Sequence, residues 1–153
     1  MITILKISNE EVADIVPLLK ELYMELGEES ESIEFLNENL INEILYSGLT
    51  DIYLAKYDNE KVGIFTLTEN QAIYAGGKYG SLDEMYVIPE YRNKNIGKLM
   101  IDKIKEIGKE KSWERIDVTA PTEKIWERTV HFYKNNGFVF TGPKLKLKIN
   151  RHN

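Results

Sequence analysis

Cysteine is absent from the 153 residues, which excludes a disulfide framework, a thiolate metal site, an iron–sulfur cluster and a cysteine nucleophile. A reducing compartment suits such a chain, and the cytoplasm is the expected location. Histidine is nearly as scarce: His131 and His152 are the only two. Their wide separation gives no support to a histidine-based metal site or a Ser-His-Asp triad. No run of 18 apolar residues occurs, and the N-terminus lacks the basic segment and long apolar stretch of a signal peptide, so neither membrane insertion nor export is expected. The ten glycines never form Gly-x-Gly-x-x-Gly, and no Gly-Lys-Ser/Thr occurs. The dinucleotide fingerprint and the P-loop are therefore both excluded. Internal repeats, low-complexity tracts and interdomain linkers are lacking too, and residues 1–153 read as one domain.

With 42% hydrophobic and 29% charged residues, the chain has the composition of a globular domain able to bury one core. Its net charge of −5 is unevenly spread. Residues 1–48 carry two Lys against eleven Asp and Glu, a net −9, whereas residues 49–153 carry eighteen basic against fourteen acidic groups, a net +4. The acidic balance argues against a nucleic-acid partner, whose affinity rests on clustered Lys and Arg. A small polyanion on the C-terminal part is compatible with it.

Alternation at Ile2, Ile4 and Lys6 suggests a first strand, and Ser8-x-x-Glu11 is a capping-box spacing that starts a helix with Val12, Ile15, Val16, Leu19, Leu22, Tyr23 and Leu26 on one face. Pro17 is expected to kink that helix or break it near Ala13. A second helix is read from Ile33 to Gly48. Two β-rich runs, 51–57 and 61–68, flank Asp58-Asn59-Glu60 as a hairpin, and a third covers 79–88. Ile96, Leu99, Met100, Ile104 and Ile107 define an amphipathic helix over 95–112. A strand at 115–120, a helix at 122–135 stopped by Asn136-Gly137, and strands at 138–141 and 144–149 complete the order. Strand, helix and strand in this succession imply a crossover unit.

The chemistry concentrates in residues 82–100. A strand runs into a short turn and then a helix whose first turn holds Gly97 with basic neighbours, so free N–H groups and the positive helix end converge on one point. Such a point can hold a phosphate or pyrophosphate. Asn95 is suited to a left-handed turn position. A carboxylate is also expected to matter. Asp83 and Glu84 should point to opposite faces of their strand, and Glu84, beside Leu82 and Met85, is the better candidate base, with a raised pKa.

Val87-x-Pro89-x-Tyr91-Arg92-x-x-Asn95-x-Gly97 closely resembles the acetyl-CoA motif of the GNAT superfamily of N-acyltransferases, and Phe132-Tyr133-Lys134-Asn135-Asn136-Gly137-Phe138 resembles its Phe-Tyr-x-x-x-Gly-Phe signature. The order of elements is similar over nearly the whole chain. The resemblance implies an α/β fold of GNAT type, a mixed, mostly antiparallel twisted sheet of about six to seven strands flanked by about four helices. It implies direct attack of a primary amine on acetyl-CoA in a ternary complex. Arg92, Asn93, Lys94, Asn95, Ile96, Gly97 and Lys98 would bind the pyrophosphate, mostly through backbone N–H groups. Met85, Tyr86 and Val87 would pair with the pantetheine arm, with residues 118–120 opposite. Tyr133 would protonate the departing thiolate and Glu84 would accept the amine's proton. Two positions depart from the family pattern: Asn95 stands where the first loop glycine is usual, and Trp126 where an Asn near the cofactor is often found.

The first two helices usually form a wall of the acceptor site in this fold, and here they are the −9 part. Glu28, Glu29, Glu31 and Glu34 are thus expected to attract a small cationic amine. A protein or peptide N-acetyltransferase and a non-catalytic acyl-CoA-binding regulatory module are the alternatives. No metal is implied, and a homodimer is allowed.

Overall fold

The computed structural model describes residues 1–28, 30–120 and 127–150, the side chains of Ser30 and Glu31 excepted. Two compact units divide the chain, Met1–Val118 and Thr119–Asn153.

In the first unit, β1 (Ile2–Lys6), β2 (Thr50–Tyr57), β3 (Glu60–Ala72), β4 (Gly77–Val87) and β5 (Ile116–Val118) form one sheet in the order β1-β2-β3-β4-β5. The first four strands are antiparallel. β5 runs parallel to β4, pairing Gly80 with Ile116 and Leu82 with Val118, so β4, α3 (Ile96–Glu110) and β5 are the expected crossover. The hairpin between β2 and β3 turns on Asp58 and Asn59 at φ of 47° and 74°, the signs a two-residue turn needs to match strand twist.

Alternation along the strands sorts the core. Ile52, Leu54, Ile64 and Tyr86 pack with Val12, Ile15, Leu19 and Leu22 of α1 (Val12–Glu25) and Ile41 of α2 (Glu38–Tyr46). On the opposite face Tyr53 stacks on Phe65 at 4.9 Å, and Gly63 lies close to Met100 of α3. Burial of these side chains supplies the drive that helix propensity alone does not.

Several expectations need correction. α1 is neither broken nor ended by Pro17, and a 3-10 turn at Asn9–Glu11 precedes it. The missing N–H removes only the bond to Ala13, in the first turn, where the packed face outweighs the loss. Of the capping box, the Glu11 carboxylate accepts the Ser8 N–H at 3.2 Å. The second helix does not begin at Ile33. A 3-10 turn covers Ser30–Ile33, and α2 starts after Asn37, whose side chain accepts the Leu40 N–H at 2.9 Å. On α3, Leu99 is exposed and Ile101 is buried instead.

The second unit holds α4 (Glu127–Asn135), which ends as expected at Gly137 with φ of 98°. The Phe138 and Gly137 N–H groups bond back to Tyr133 and Lys134. Residues 138–141 and 144–149 form no strand, and Val139, Phe140, Leu145, Leu147 and Ile149 are exposed. Alternation marks a one-faced segment, yet a strand also needs a ladder, and none is formed there. Five strands are therefore found among the described residues rather than six or seven. Among these residues no helix is long and apolar enough to cross a membrane.

Candidate active site

β4 carries the site. Its pairing with β3 slips between Thr66 and Leu67: Thr66 faces Glu84 and Leu67 faces Leu82, leaving Asp83 as the extra residue of a bulge. The bulge overturns the expectation that Asp83 and Glu84 point to opposite faces. Thr66 and Thr68 lie two residues apart on β3 and so share a face. The Thr66 hydroxyl donates to Glu84 Oε1 at 2.5 Å and that of Thr68 to Asp83 Oδ2 at 2.8 Å. Both carboxylates thus stand on the α1 side.

Glu84 is half-buried and doubly held. The Tyr23 hydroxyl of α1 donates to Oε2 at 3.0 Å, and the Glu84 N–H donates to Thr66 Oγ1 at 3.0 Å. Burial raises its pKa above the usual carboxylate range, while the two hydroxyl bonds pull the other way. Met85 pairs with Phe65 on the opposite face, so the dry surroundings come from the α1 side rather than from Met85. Tyr23 and Thr66 were legible in sequence only as a core tyrosine and a strand threonine. The available signal was a polar residue at the inward phase of the run Val62, Ile64, Thr66.

Beyond Leu82 the β4–β5 ladder ends, so Met85, Tyr86 and Val87 lie past the last β5 pair. A 3-10 turn, Pro89–Tyr91, follows, and then the predicted loop. Asn93 and Asn95 both take left-handed φ, 63° and 68°. Asn95 caps α3 without placing its side chain on a backbone N–H, and the first turn at Ile96, Gly97 and Lys98 therefore presents its donors. This donor set fits a pyrophosphate. The Arg92 side chain is committed elsewhere: it donates to the Val87 carbonyl at 2.9 Å and bidentately to Glu25 at 2.7 and 2.6 Å, and lies over the Tyr86 ring at 5.4 Å. Lys98 pairs with Asp102 at 3.3 Å, and Lys94 lies over the Tyr91 ring at 5.7 Å.

A groove of about 560 Å³ beside this strand end is lined by Glu21, Glu60, Tyr86, Ile88, Pro89 and Glu90. Glu28 accepts the Ser32 hydroxyl at 2.9 Å, and Glu34 is exposed. Glu29 and Trp126 lie outside the described residues, as does the Glu31 side chain. In the second unit Tyr133 is buried edge-on to Phe132 and Phe138, and burial pushes its phenol up to about 12.

The sequence model of the Acetyltransferase (GNAT) family matches residues 13–138, and the chain belongs to this family. No curated protein matches the sequence. Among solved structures, a predicted acetyltransferase from Clostridium acetobutylicum, determined with acetyl-CoA, is 22% identical with a TM-score of 0.79, the match covering 97% of this chain and 96% of the other. A ribosomal-protein-alanine N-acetyltransferase from Brucella melitensis biovar Abortus 2308 is 19% identical at 0.78, over 97% and 99%. An aminoglycoside acetyltransferase from an uncultured soil metagenomic sample, in complex with sisomicin, is 15% identical at 0.78, over 99% and 97%. At these identities the likeness is one of fold.

Proposed function

We propose that the protein is an acetyl-CoA-dependent N-acetyltransferase, a single acyltransferase domain over residues 1–153 acting on the primary amine of a small cationic acceptor. The observation that carries this reading is the Glu84 carboxylate, half-buried and held on the same strand that leads into the loop at 92–97. Acetyl-CoA supplies the activated acyl carbon. Residues 93–98 hold its pyrophosphate, chiefly through the backbone donors of the α3 first turn at Ile96, Gly97 and Lys98, with Lys94 and Lys98 adding positive charge. Arg92, expected in this set, has its N–H on the Pro89 carbonyl and its guanidinium on Val87 and Glu25. Met85, Tyr86 and Val87 offer the backbone of β4 to the pantetheine arm.

An amine of ordinary basicity is protonated at neutral pH and cannot attack. Glu84 takes one proton from the ammonium, the freed amine forms the new C–N bond, and the C–S bond breaks with its electrons on sulfur. Tyr133 gives the departing thiolate a proton. The acylated nitrogen releases its remaining extra proton to solvent, from which the phenolate is reprotonated, so the products are a neutral amide and the CoA thiol. The raised pKa of Tyr133 keeps the phenol protonated, and dry surroundings that raise a phenol also raise the basicity of a thiolate. The net charge of −9 over residues 1–48 supports a cationic acceptor.

Thermal unfolding with acetyl-CoA, NADH or ATP tests the cofactor. Acetyl-CoA at a hundred times its Kd is expected to stabilise the protein by about 2.7 kcal/mol. CoA release with spermidine, an aminoglycoside and a lysine peptide then tests the acceptor. No shift at millimolar acetyl-CoA would sink the reading, and release with the peptide alone would replace the small acceptor by a protein.

A further inference from the structure

We infer that Tyr23 and Thr66 are positioning residues for Glu84: hydroxyls from α1 and β3 each hold one carboxylate oxygen and leave the remaining lone pairs for the incoming ammonium. This rests on the reading of Glu84 as the base. The geometry is restrictive on both sides. Thr66 Oγ1 accepts the Glu84 N–H at 3.0 Å and donates to the Oε1 of the same residue at 2.5 Å, so one hydroxyl ties the carboxylate to its own backbone. Thr66 is 3% exposed, so its hydroxyl has little access to water as an alternative partner. Tyr23 reaches Oε2 from another element at 3.0 Å. Its proton stays on the phenol, because burial and the nearby Glu84 charge both raise its pKa.

An ionised carboxylate offers about four lone-pair sites, two on each oxygen. The clamp uses one on each. A substrate N–H can therefore reach Glu84 and leave its proton there without either hydroxyl letting go: ammonium plus carboxylate become free amine plus carboxylic acid. The titratable groups that face Glu84 are Tyr23 from α1 and Asp83 beside it on β4, whose charge raises the Glu84 pKa further. β3 and β2 contribute the hydroxyls of Thr66, Thr68 and Thr50, the last within 2.8 Å of Thr68. Tyr23 thus makes part of the acceptor wall an element of the proton-transfer machinery.

The test is a ¹³Cδ NMR titration of Glu84 in the full chain, its signal assigned by its loss in Glu84→Gln. Tyr23→Phe keeps the ring and Thr66→Val keeps the shape, while each removes a donor that favours the charged carboxylate. Each is expected to move the Glu84 midpoint up by about one pH unit. Thr66→Ser, which keeps the hydroxyl, should titrate like wild type. With spermidine as acceptor, the acid limb of kcat/KM should shift upward with the NMR midpoint, at unchanged KM for acetyl-CoA. An unmoved midpoint in a folded Tyr23→Phe overturns the clamp, and it does so without any acceptor. Full activity in Glu84→Gln instead overturns the base on which the clamp depends, so the two failures are separable.

Discussion

Asn95 shows how far one side chain can be read before folding. Its place in the loop predicts a left-handed residue, and φ is 68°. Asn tolerates that region because its short polar side chain has local partners, whereas an alanine pays the full steric cost. Asn95→Ala is expected to lower stability by about 1 kcal/mol in urea unfolding and to weaken acetyl-CoA binding in calorimetry. Tyr133→Phe should behave differently. On its proposed role as proton donor, its loss is expected to reduce kcat by about 10²-fold with the Kd for acetyl-CoA unchanged. Equal turnover in the variant would move the acid elsewhere. Glu84 was visible as a candidate from its residue type, but its partners were not: hydrogen bonds to residues 61 and 18 positions away arise only when β3, β4 and α1 meet.

At the scale of elements, the crossover and the hairpin were legible because each announces itself locally, in a 3.6-residue period or an Asp-Asn turn. The bulge at Asp83 was not, since it is a mismatch between two strands and neither strand carries it alone. The start of α2 was missed for a related reason: apolar spacing extends back to Ile33, but the Asn37 cap sets the boundary. Close packing between elements offers a further check. A Cβ at Gly80 on β4 would run into the ring of Trp113, whose indole N–H donates to Glu69 at 2.8 Å. Gly80→Ala should displace that ring and cost about 1–3 kcal/mol in urea unfolding, with a change in tryptophan fluorescence. A variant as stable as wild type with a changed spectrum would show that the indole yields freely.

For the molecule as a whole, the carboxylate read as the base is a burden on the fold. A folded-state pKa above the unfolded value means that the charged form is disfavoured by folding. The cost is fully present above the folded pKa and fades as pH falls through it toward the unfolded value. The Tm of Glu84→Gln relative to wild type should therefore rise as pH goes from about 4.5 to about 8. Glu11 has the opposite sign. The Ser8 N–H, chiefly, and Lys56 lower its pKa, so its contribution is present at neutral pH and is lost in acid. A Tm difference between Glu84→Gln and wild type that stays constant from about pH 4.5 to about pH 8 would contradict this balance.

Arg92 gives these scales a common joint. Its guanidinium grips the last turn of α1 through Glu25 and the end of β4 through the Val87 carbonyl, and α1 is also the helix that brings Tyr23 to Glu84. Two ligands that strain or relax such a joint become thermodynamically coupled, and the coupling is reciprocal. Whatever factor the cofactor adds to acceptor affinity, the acceptor must return to the cofactor.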